Sequence, residues 1–270
     1  METQSLDSLE PSLEMVCGYD PLCPLGEDAY FVSEEKQAIG VADGVGGWAA
    51  DGVDAGEYAR ELMVNASVAV HQQPDGVADL KSVLNEAFLN TKARGSSTAC
   101  IVMLSNDNIL HSINVGDSGF MIFRANRLAY QSPVQQHYFN CPYQLGNSKG
   151  YDRPCSATET RELVFPGDII VVGTDGLLDN VFPAEIEDVL DRETLEGVNP
   201  MELAVIITNL ARNNSLDMER ESPFAKAFRA QSSGNGYSNY TGGKPDDITV
   251  VVAYIVRQNK NRLNSEVEEY

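Results

Sequence analysis

The sequence predicts an α+β fold in which antiparallel β-sheets carry helices on their outer faces. Its strand-like runs are short, rich in Val and Ile, and bounded by Gly, Asp and Asn. Segments with helical periodicity lie between groups of strands rather than after every strand, which favours antiparallel sheets over a doubly wound parallel sheet. The first and last strand-like runs bracket nearly the whole chain, so a single domain is expected.

The strands form three groups along the chain. Each run is five to nine residues long, which is the length of a strand. The strands are expected at residues 29–33, 38–42, 98–104, 109–115, 120–124, 168–173 and 248–256.

Four segments between these strands have apolar residues at helical spacing. In residues 55–70 an apolar residue recurs every fourth position, and Asp54 precedes the segment as an N-cap. The other helices are expected at residues 77–91, 201–211 and 223–230.

The chain has 270 residues and a mass of 29.4 kDa, which is long enough for one large domain. Residues 16–256 are expected to form that domain, after an acidic and flexible leader (residues 1–15) and before a polar tail (residues 257–270). No apolar run is long enough to cross a membrane, so no membrane insertion is expected. The N-terminal residues have neither the apolar core of a signal peptide nor the acid-poor composition of a transit peptide.

The charge balance restricts the class of partner. The 19 Lys and Arg residues against 40 Asp and Glu residues give a net charge of −21. Such a surface repels a phosphate backbone and anionic lipid headgroups, which argues against nucleic-acid binding and suits divalent cations. The five cysteines are odd in number and scattered. They predict free thiols in a reducing compartment: chloroplast, mitochondrion or cytoplasm.

Several acidic residues share one pattern, in which an acid stands beside Gly or another acid at the edge of an apolar strand. Strand ends project their side chains into a shared rim, so acids from separate strands can converge there. The acids with this pattern are Glu27, Asp28, Asp43, Asp117, Asp175, Asp246 and Asp247.

Converged carboxylates repel one another, by about 4 kcal/mol for two charges ~4 Å apart at an effective dielectric near 20. No Lys or Arg abuts most of these motifs. A divalent cation with oxygen ligands, such as Mg²⁺ or Mn²⁺, would relieve the repulsion. Gly44, directly after Asp43, would let a backbone carbonyl approach the same ion. The pattern alone leaves two interpretations open, a metal site and a solvated acidic surface.

Other catalytic chemistries find little support. The three histidines, His71, His111 and His137, are not paired at metal-ligand spacing, and no H-E-x-x-H motif occurs. The sequence has no G-x-S-x-G elbow. The glycine-rich DGVGGW lacks the Gly-Lys-[Ser/Thr] of a phosphate-binding loop.

Six motifs occur in a fixed order: GEDAYF (26–31), VADGVGGW (41–48), GSSTACIV (95–102), NVGDSGF (114–120), GTDGLLDN (173–180) and GGKPDDITVVV (242–252). Together they resemble the type 2C family of metal-dependent protein Ser/Thr phosphatases, over roughly residues 14–256. DGVGGW, QQHYF (135–139) and SPF (222–224) are similar to the branch that includes mitochondrial and plastid members. TKARGSSTAC resembles plant members.

The resemblance implies a four-layer α-β-β-α sandwich, with two central antiparallel sheets flanked by helices. It implies an enzyme, expected to be a monomer, that hydrolyses phosphoserine and phosphothreonine in phosphoprotein substrates. In this family a water or hydroxide activated by two Mg²⁺ or Mn²⁺ ions attacks phosphorus in line. A third, weaker ion is also implied.

The motifs also imply the metal ligands. Asp43 would bridge both ions, and the Gly44 carbonyl would bind one of them. Asp175 and Asp246 would complete the first ion, and Glu27 would bind the second.

Two further acids have catalytic roles by the same resemblance: Asp28 would hold metal-bound water, and Asp117 would help to hold the third ion. The family histidine that is thought to protonate the leaving group is replaced by Val45. Metal-bound water is therefore the expected acid. His137 is a second candidate, although a role in anchoring a loop is favoured for it.

Other positions depart from the family pattern as well. The family arginine that binds substrate phosphate has no counterpart in residues 22–25. Asp247 stands where Asn is common, and Gly119 stands where Arg is common. The group that binds the substrate phosphate is therefore left open.

The remaining residues near the motifs have structural predicted roles. Trp48 is expected to pack over the floor of the site, and residues 140–156 to form a variable flap beside it. Four cations are expected on the surface, where one could meet substrate phosphate: Arg124, Lys149, Arg153 and Lys244.

Two alternatives to the active protein phosphatase stay open. One is a catalytically inactive phosphatase-fold scaffold or binding protein, and the other is a metal-dependent phosphoesterase for small molecules. An inactive member usually loses metal-binding acids, and Asp43, Asp175 and Asp246 are all present. The ligand set therefore favours the enzyme.

Overall fold

The structure is a computed structural model. It describes residues 26–231 and 239–257, and it describes residues 11–19 as a strand. The strands in chain order are β1 (Pro11–Tyr19), β2 (Asp28–Ser33), β3 (Ala38–Asp43), β4 (Ser96–Ser97), β5 (Ala99–Leu104), β6 (Ile109–Val115), β7 (Gly119–Arg124), β8 (Arg127–Gln131), β9 (Gln136–Tyr138), β10 (Cys141–Pro142), β11 (Leu145–Gly146), β12 (Thr158–Leu163), β13 (Ile169–Gly173) and β14 (Thr249–Arg257).

The helices alternate with groups of strands, as the sequence predicts. Short 3-10 helices span Gly46–Asp51 and Pro154–Ser156. The α-helices are α1 (Ala55–His71), α2 (Leu80–Asn90), α3 (Asp175–Leu178), α4 (Pro183–Glu196), α5 (Pro200–Leu216) and α6 (Pro223–Gln231).

Two five-stranded antiparallel sheets form the centre of the fold. The first sheet has the strand order β12-β6-β5-β3-β2, and the second has the order β1-β14-β13-β7-β8. In the first sheet Asp28 lies opposite Asp43. In the second sheet Gly173 lies opposite both Gly119 and Val250. These registers bring the ends of the motif-bearing strands to one rim.

Three buried clusters set the order of the layers. Successive side chains of a strand point to opposite faces, so each sheet contributes to two clusters. Ala38 and Ala42 of β3 pack with α1 and α2, whereas Ile39 and Val41 of the same strand pack against the second sheet. Met121 of β7 and its neighbours pack with α4 and α5 on the outer face of the second sheet. The predicted α+β fold is confirmed. The three clusters lie between helices and the first sheet, between the two sheets, and between the second sheet and helices.

The helix starts follow their capping residues. The Asp54 carboxylate accepts a hydrogen bond from Gly56 N at 3.0 Å, so the predicted cap of α1 is confirmed. Helix α2 starts at Leu80 rather than at residue 77, because the Asp79 carboxylate caps it through Ser82 N at 3.1 Å.

The first strand of the structure, β1, is not among the predicted strands, which start at residues 29–33. Residues 11–15 of the predicted leader belong to β1, which pairs along its length with β14. This pairing covers an otherwise open edge of β14, whose apolar strand would expose unpaired backbone groups. At the other end, Arg257 belongs to β14 rather than to the tail. Residues 1–10 and 258–270 of the predicted leader and tail lie outside the described residues.

Strands β8 and β12 and helix α4 are absent from the sequence-based prediction. Both strands lie at sheet edges and alternate between exposed and half-buried residues, so they lack a run of Val and Ile. Helix α4 buries Ile186, Val189 and Leu190 at helical spacing, after Pro183 at its first turn. The helical spacing and the proline of α4 were present in the sequence.

Two further predictions concern the membrane and the cysteines. Among the described residues, no helix is long and apolar enough to cross a membrane. Cys100, Cys141 and Cys155 are free thiols, as expected. Cys23 lies outside the described residues.

Candidate active site

The first sheet contributes a pair of aspartates to the rim. Asp28 begins β2 and Asp43 ends β3, so the antiparallel pairing sets them directly opposite each other. Glu27 precedes β2, and its carbonyl accepts the N–H of Gly44 at 3.1 Å. The motifs GEDAYF and VADGVGGW thus meet at one point.

Three more carboxylates lie at the same rim, two beside strands of the second sheet and one in the turn that joins the two sheets. Asp117 lies in the turn between β6 and β7, and Asp175 begins α3 directly after β13. Asp246 lies just before β14. Asp117 and Asp175 are 6% and 7% exposed, so both carboxylates are nearly withdrawn from solvent.

Hydroxyl groups connect the acids of the two sheets. The Thr174 hydroxyl, at the end of β13, donates to Asp28 Oδ2 at 2.8 Å and accepts from Thr249 N at 3.2 Å. Thr98 Oγ1 accepts from Asp43 N at 3.0 Å and lies 2.7 Å from Ser118 Oγ. These contacts fix the position of the first sheet's aspartates relative to the second sheet.

The Lys244 ammonium lies among the carboxylates. It donates to Asp175 Oδ2 and to Asp179 Oδ2, the latter at 3.0 Å, and it pairs with Asp246 Oδ2 at 3.2 Å. Its side chain is only 17% exposed. Burial favours the neutral amine, but the three carboxylates outweigh burial and raise the pKa of Lys244. The predicted surface position of Lys244 is therefore wrong.

Burial and mutual repulsion disfavour the charged form of the acids. Burial raises the pKa of Asp28 to about 8, although the hydroxyls of Thr174 and Thr249 lower it. Burial, then the Asp175 charge, raises the pKa of Asp117 to about 7. Burial also raises the pKa of Asp179 to about 6, against the opposing effect of Lys244.

The same causes act on the other predicted ligands. Burial and then Asp175 hold the pKa of Asp43 well above its ordinary value. Burial raises the pKa of Glu27 and of Asp246, with neighbouring carboxylates adding to it. A site that disfavours its own negative charges to this extent favours the binding of a cation.

The donor set fits a hard divalent ion. The buried Oδ1 atoms of Asp117 and Asp175 have no hydrogen-bond partner within the described part of the chain. Carboxylate oxygens without donors are the ligands that Mg²⁺ and Mn²⁺ prefer. Within the same ranges, no three acidic, histidine or cysteine side chains form a ready coordination shell by themselves. The cation that the acids meet in this structure is the Lys244 ammonium.

Glycines allow the close approaches at the rim. A Cβ added to Gly44 would lie 2.3 Å from Ala55 O and 2.6 Å from Glu27 O. A Cβ added to Gly46 would lie 2.7 Å from Glu27 Oε2. The DGVGG run therefore leaves room for the Glu27 side chain.

Comparison with known proteins identifies the family. Probable protein phosphatase 2C 55 of Arabidopsis thaliana is 48% identical over 230 residues, which cover 85% of this chain and 48% of that protein. Probable protein phosphatase 2C 26 of the same plant is 38% identical over 242 residues, which cover 86% of this chain and 78% of that protein. The chain belongs to the protein phosphatase 2C family. A scan against models of protein families finds no match.

Solved structures of phosphatases share the fold. The X-ray structure of the photosystem II phosphatase PBCP has a TM-score of 0.79 and 31% identity, and the match covers 92% of this chain and 100% of that one. The catalytic domain of the Ser/Thr phosphatase PstP, solved with two manganese ions, has a TM-score of 0.61 at 19% identity, covering 92% of this chain and 99% of that one. The chain spans about half the length of two of its curated relatives, 48% and 54%.

The phosphatase 2C motifs meet at one rim, and the structure places Val45 and His137 as follows from their contacts. Val45 lies between Gly44 and the 3-10 helix, and its N–H donates to Ser96 O at 3.0 Å. His137 Nε2 lies 2.9 Å from Asp152 Oδ2, and its ring stacks on Tyr143 with 4.3 Å between the centroids. His137 thus anchors the flap, as favoured from the sequence.

Residues beside the predicted ones contact the site. In QQHYF the residue that reaches it is Gln136, whose Nε2 donates to Asp117 Oδ2 at 3.2 Å. Trp48 packs beside the site, where Nε1 donates to Ser96 Oγ at 2.8 Å and the ring stacks on Tyr151. The stretch 22–25, where the phosphatase 2C arginine is missing, lies outside the described residues.

Sequence reasoning missed Asp179 and the contacts of Lys244. Asp179 follows Asp175 by four residues, which is the spacing of one helical turn and was visible in GTDGLLDN. Lys244 lies between the glycines and the acids of GGKPDDITVVV, but its contact with Asp175 depends on the folded loop. Only the first of these phosphatase 2C residues had a pattern that could reveal it.

Proposed function

We propose that this chain is a metal-dependent protein Ser/Thr phosphatase that hydrolyses phosphoserine and phosphothreonine in phosphoproteins. One observation carries the proposal: acids from both sheets meet at one rim, where burial and repulsion disfavour their charges. The activity named for the relatives and the two manganese ions of PstP support the same function. The monomeric state and the compartment stay predictions.

The proposed ligands follow the family resemblance, and their donor chemistry supports them. Asp43 would bridge two ions, and the Gly44 carbonyl would bind one of them. Asp175 and Asp246 would complete the first ion. Glu27 would bind the second ion. A third ion near Asp117 belongs to the same proposal.

The bound ions would lower the pKa of water and offset charge on the phosphoryl group. Asp28, held by Thr174 at 2.8 Å, would orient the attacking water. The Thr98 hydroxyl oxygen accepts the backbone N–H of Asp43 and so fixes the backbone at that residue. No side chain is required as a covalent nucleophile, so electrostatic stabilisation of the transition state would supply most of the rate.

The leaving serine oxygen needs a proton that Val45 cannot donate. Asp117 lies at the same rim and receives a hydrogen bond from Gln136. Through the third ion it would hold a water that supplies this proton. His137 is engaged with Asp152 and Tyr143, which makes it the weaker candidate.

The proposal is tested by turnover of a phosphoserine peptide with Mn²⁺ and with EDTA. EDTA should abolish turnover and excess Mn²⁺ should restore it, because the acids supply charge but no nucleophile. Full activity in EDTA would contradict a metal-dependent reaction.

A sugar phosphate and a binding assay separate the alternatives. Faster hydrolysis of the sugar phosphate than of the peptide would favour a small-molecule phosphoesterase. Binding of the phosphopeptide without any turnover in Mn²⁺ would favour an inactive scaffold.

A further inference from the structure

Lys244 occupies a built position at the acidic rim. Its N–H donates to Asn180 Oδ1 at 2.8 Å, and its carbonyl accepts from Asn180 Nδ2 at 2.9 Å. Asn180 is fully buried, and it is itself held by Asn214, whose Nδ2 donates to Asn180 O at 3.0 Å. The base of the lysine side chain is therefore fixed.

The ammonium is directed at oxygens that the proposed function assigns to an ion. Its three carboxylate partners are Asp175 Oδ2, Asp179 Oδ2 and Asp246 Oδ2, and it lies 5.7 Å from the centroid of the Phe224 ring. An ammonium has three N–H donors, so these carboxylates can use all of them. Asp175 and Asp246 are both proposed ligands of the first ion, whereas Asp179 is not.

The three carboxylates carry more negative charge than one ammonium offsets. Without the lysine, three acids would face one another with no cation between them. Asp175 is buried, and the side chains of Asp179 and Asp246 are 27% and 32% exposed. With the lysine, a divalent ion that reaches Asp175 and Asp246 must approach a positive charge that holds the same Oδ2 atoms. The lysine therefore acts on the metal-free and the metal-bound site in opposite directions.

We propose that Lys244 is an internal cation that holds the acidic rim together before metal binds and competes with the first ion for Asp175 and Asp246. This inference rests on the proposed function, because it assumes that these acids bind the ion. Lys244 is thus a positioning residue, which acts through the ligands rather than on the substrate. The consequence is a first metal site with an affinity that the chain itself has weakened.

The test is calorimetric titration of Mn²⁺ into the metal-free full chain, with thermal melting in EDTA. Lys244→Met should bind the first ion about tenfold more tightly or better, because like charges a few ångströms apart repel even where the effective dielectric is high. The same variant should melt at a lower temperature in EDTA. A purely structural lysine would lower the melting temperature without changing the dissociation constant.

Two further variants complete the design. Lys244→Arg keeps the charge and should keep the weak affinity of the original chain. Lys81→Met makes the same change in net charge at α2, where Lys81 pairs with exposed Glu159 at 3.3 Å, and should change neither readout. If Lys244→Met does not fold, Lys244→Gln replaces it as the neutral variant.

The outcomes distinguish this inference from the proposed function. Equal Mn²⁺ dissociation constants for the original chain and the neutral variant would overturn the inference alone. No Mn²⁺ binding to the original chain would overturn both. Tighter binding in Lys244→Met, with original affinity in Lys244→Arg and Lys81→Met, would support the inference.

Discussion

Small neutral side chains hold the acids of the rim in place. Thr98 Oγ1 accepts the Asp43 N–H and lies 2.7 Å from Ser118 Oγ, so a hydroxyl pair stands behind the proposed bridging ligand. Gln136 instead donates its side-chain N–H to the Asp117 carboxylate, at 3.2 Å. In a buried setting such hydrogen bonds are stronger than in water, and they fix the geometry of groups that repel one another.

The clearest prediction for a single residue compares two aspartates of one motif region. Asp43→Asn should lower phosphopeptide turnover about a thousandfold or more, since a lost bridging charge removes several kcal/mol of transition-state stabilisation. Asp51→Asn should keep turnover within about twofold, because Asp51 is 64% exposed and pairs with Arg94 only at 3.7 Å. Similar rates for the two variants would remove Asp43 from the site.

A second prediction uses the two acids that flank β6. Asp117→Ala should lower turnover about tenfold or more, as expected when a water that donates the leaving-group proton is no longer held. The tight Mn²⁺ sites should remain visible by calorimetry. Asp107→Ala, at the exposed opposite end of the same strand, is the control and should leave turnover unchanged. Normal turnover in Asp117→Ala would make Asp117 a turn residue only.

At the scale of elements, the central strands were predictable and the edges were not. Strands β3, β5 and β13 are fully or almost fully buried runs of apolar residues, so hydrophobicity alone marks them. In β8 and β12 the period-2 alternation is between exposed and half-buried residues, many of them polar or charged, so few apolar residues mark it. Propensity and hydrophobic pattern describe burial, and edge strands have little of it.

The candidate site likewise has one part that the sequence predicts and one part that it does not. Acids at strand ends were predictable because the antiparallel pairing of Asp28 with Asp43 follows from two short strands and one turn. The partners of those acids were not, because Thr174, Gln136 and Lys244 reach them across different elements. Such contacts depend on how the sheets and loops pack, which no local pattern encodes.

A prediction at this scale concerns the link between the sheets. Thr174→Val removes the hydroxyl that donates to Asp28 and accepts from Thr249 N, at nearly constant volume. The variant should lose ~1–3 kcal/mol of unfolding free energy, because buried polar groups lose their partner. It should also lower turnover, because Asp28 is no longer held. Chemical denaturation in EDTA and a phosphopeptide assay measure the two effects.

The control for this prediction is a second buried threonine. Thr208 Oγ1, in α5, has no hydrogen-bond partner in the described part of the chain, so Thr208→Val should be neutral or stabilising. If both variants lose equal stability, the Thr174 hydroxyl does not link the sheets.

At the scale of the whole molecule, folding gathers negative charge that the unfolded chain keeps apart. The net charge is −21, and the rim collects acids from both sheets around one lysine. Ligands that bind only the folded state stabilise it, by ~2.7 kcal/mol at a hundredfold excess over the dissociation constant. The metal-free protein is therefore expected to have a lower free energy of unfolding than the metal-bound protein. The contribution of the acids to this difference should depend on pH.

The last prediction is that the metal-free protein loses stability as the pH rises from about 4 to about 8. The pKa values of Asp179, Asp117 and Asp28 are about 6, 7 and 8 in the folded chain, above their ordinary value of 3.8. The folded state thus binds more protons than the unfolded chain across this range, so unfolding free energy falls with pH. The fall should reach a few kcal/mol, since one pKa unit corresponds to about 1.4 kcal/mol. Urea denaturation in EDTA at several pH values measures it.

Mn²⁺ and two variants test the cause of this decline. The three carboxyls ionise between about pH 6 and pH 8. Saturating Mn²⁺ should flatten the dependence of unfolding free energy on pH over this range, because a bound cation offsets their charge. Asp28→Asn removes one raised carboxyl and should make the decline in EDTA shallower. The exposed Asp51→Asn control should leave it unchanged. A profile in EDTA that stays flat or rises over this range would mean that the acids of the rim do not oppose folding. The cation requirement would then have to come from catalysis alone.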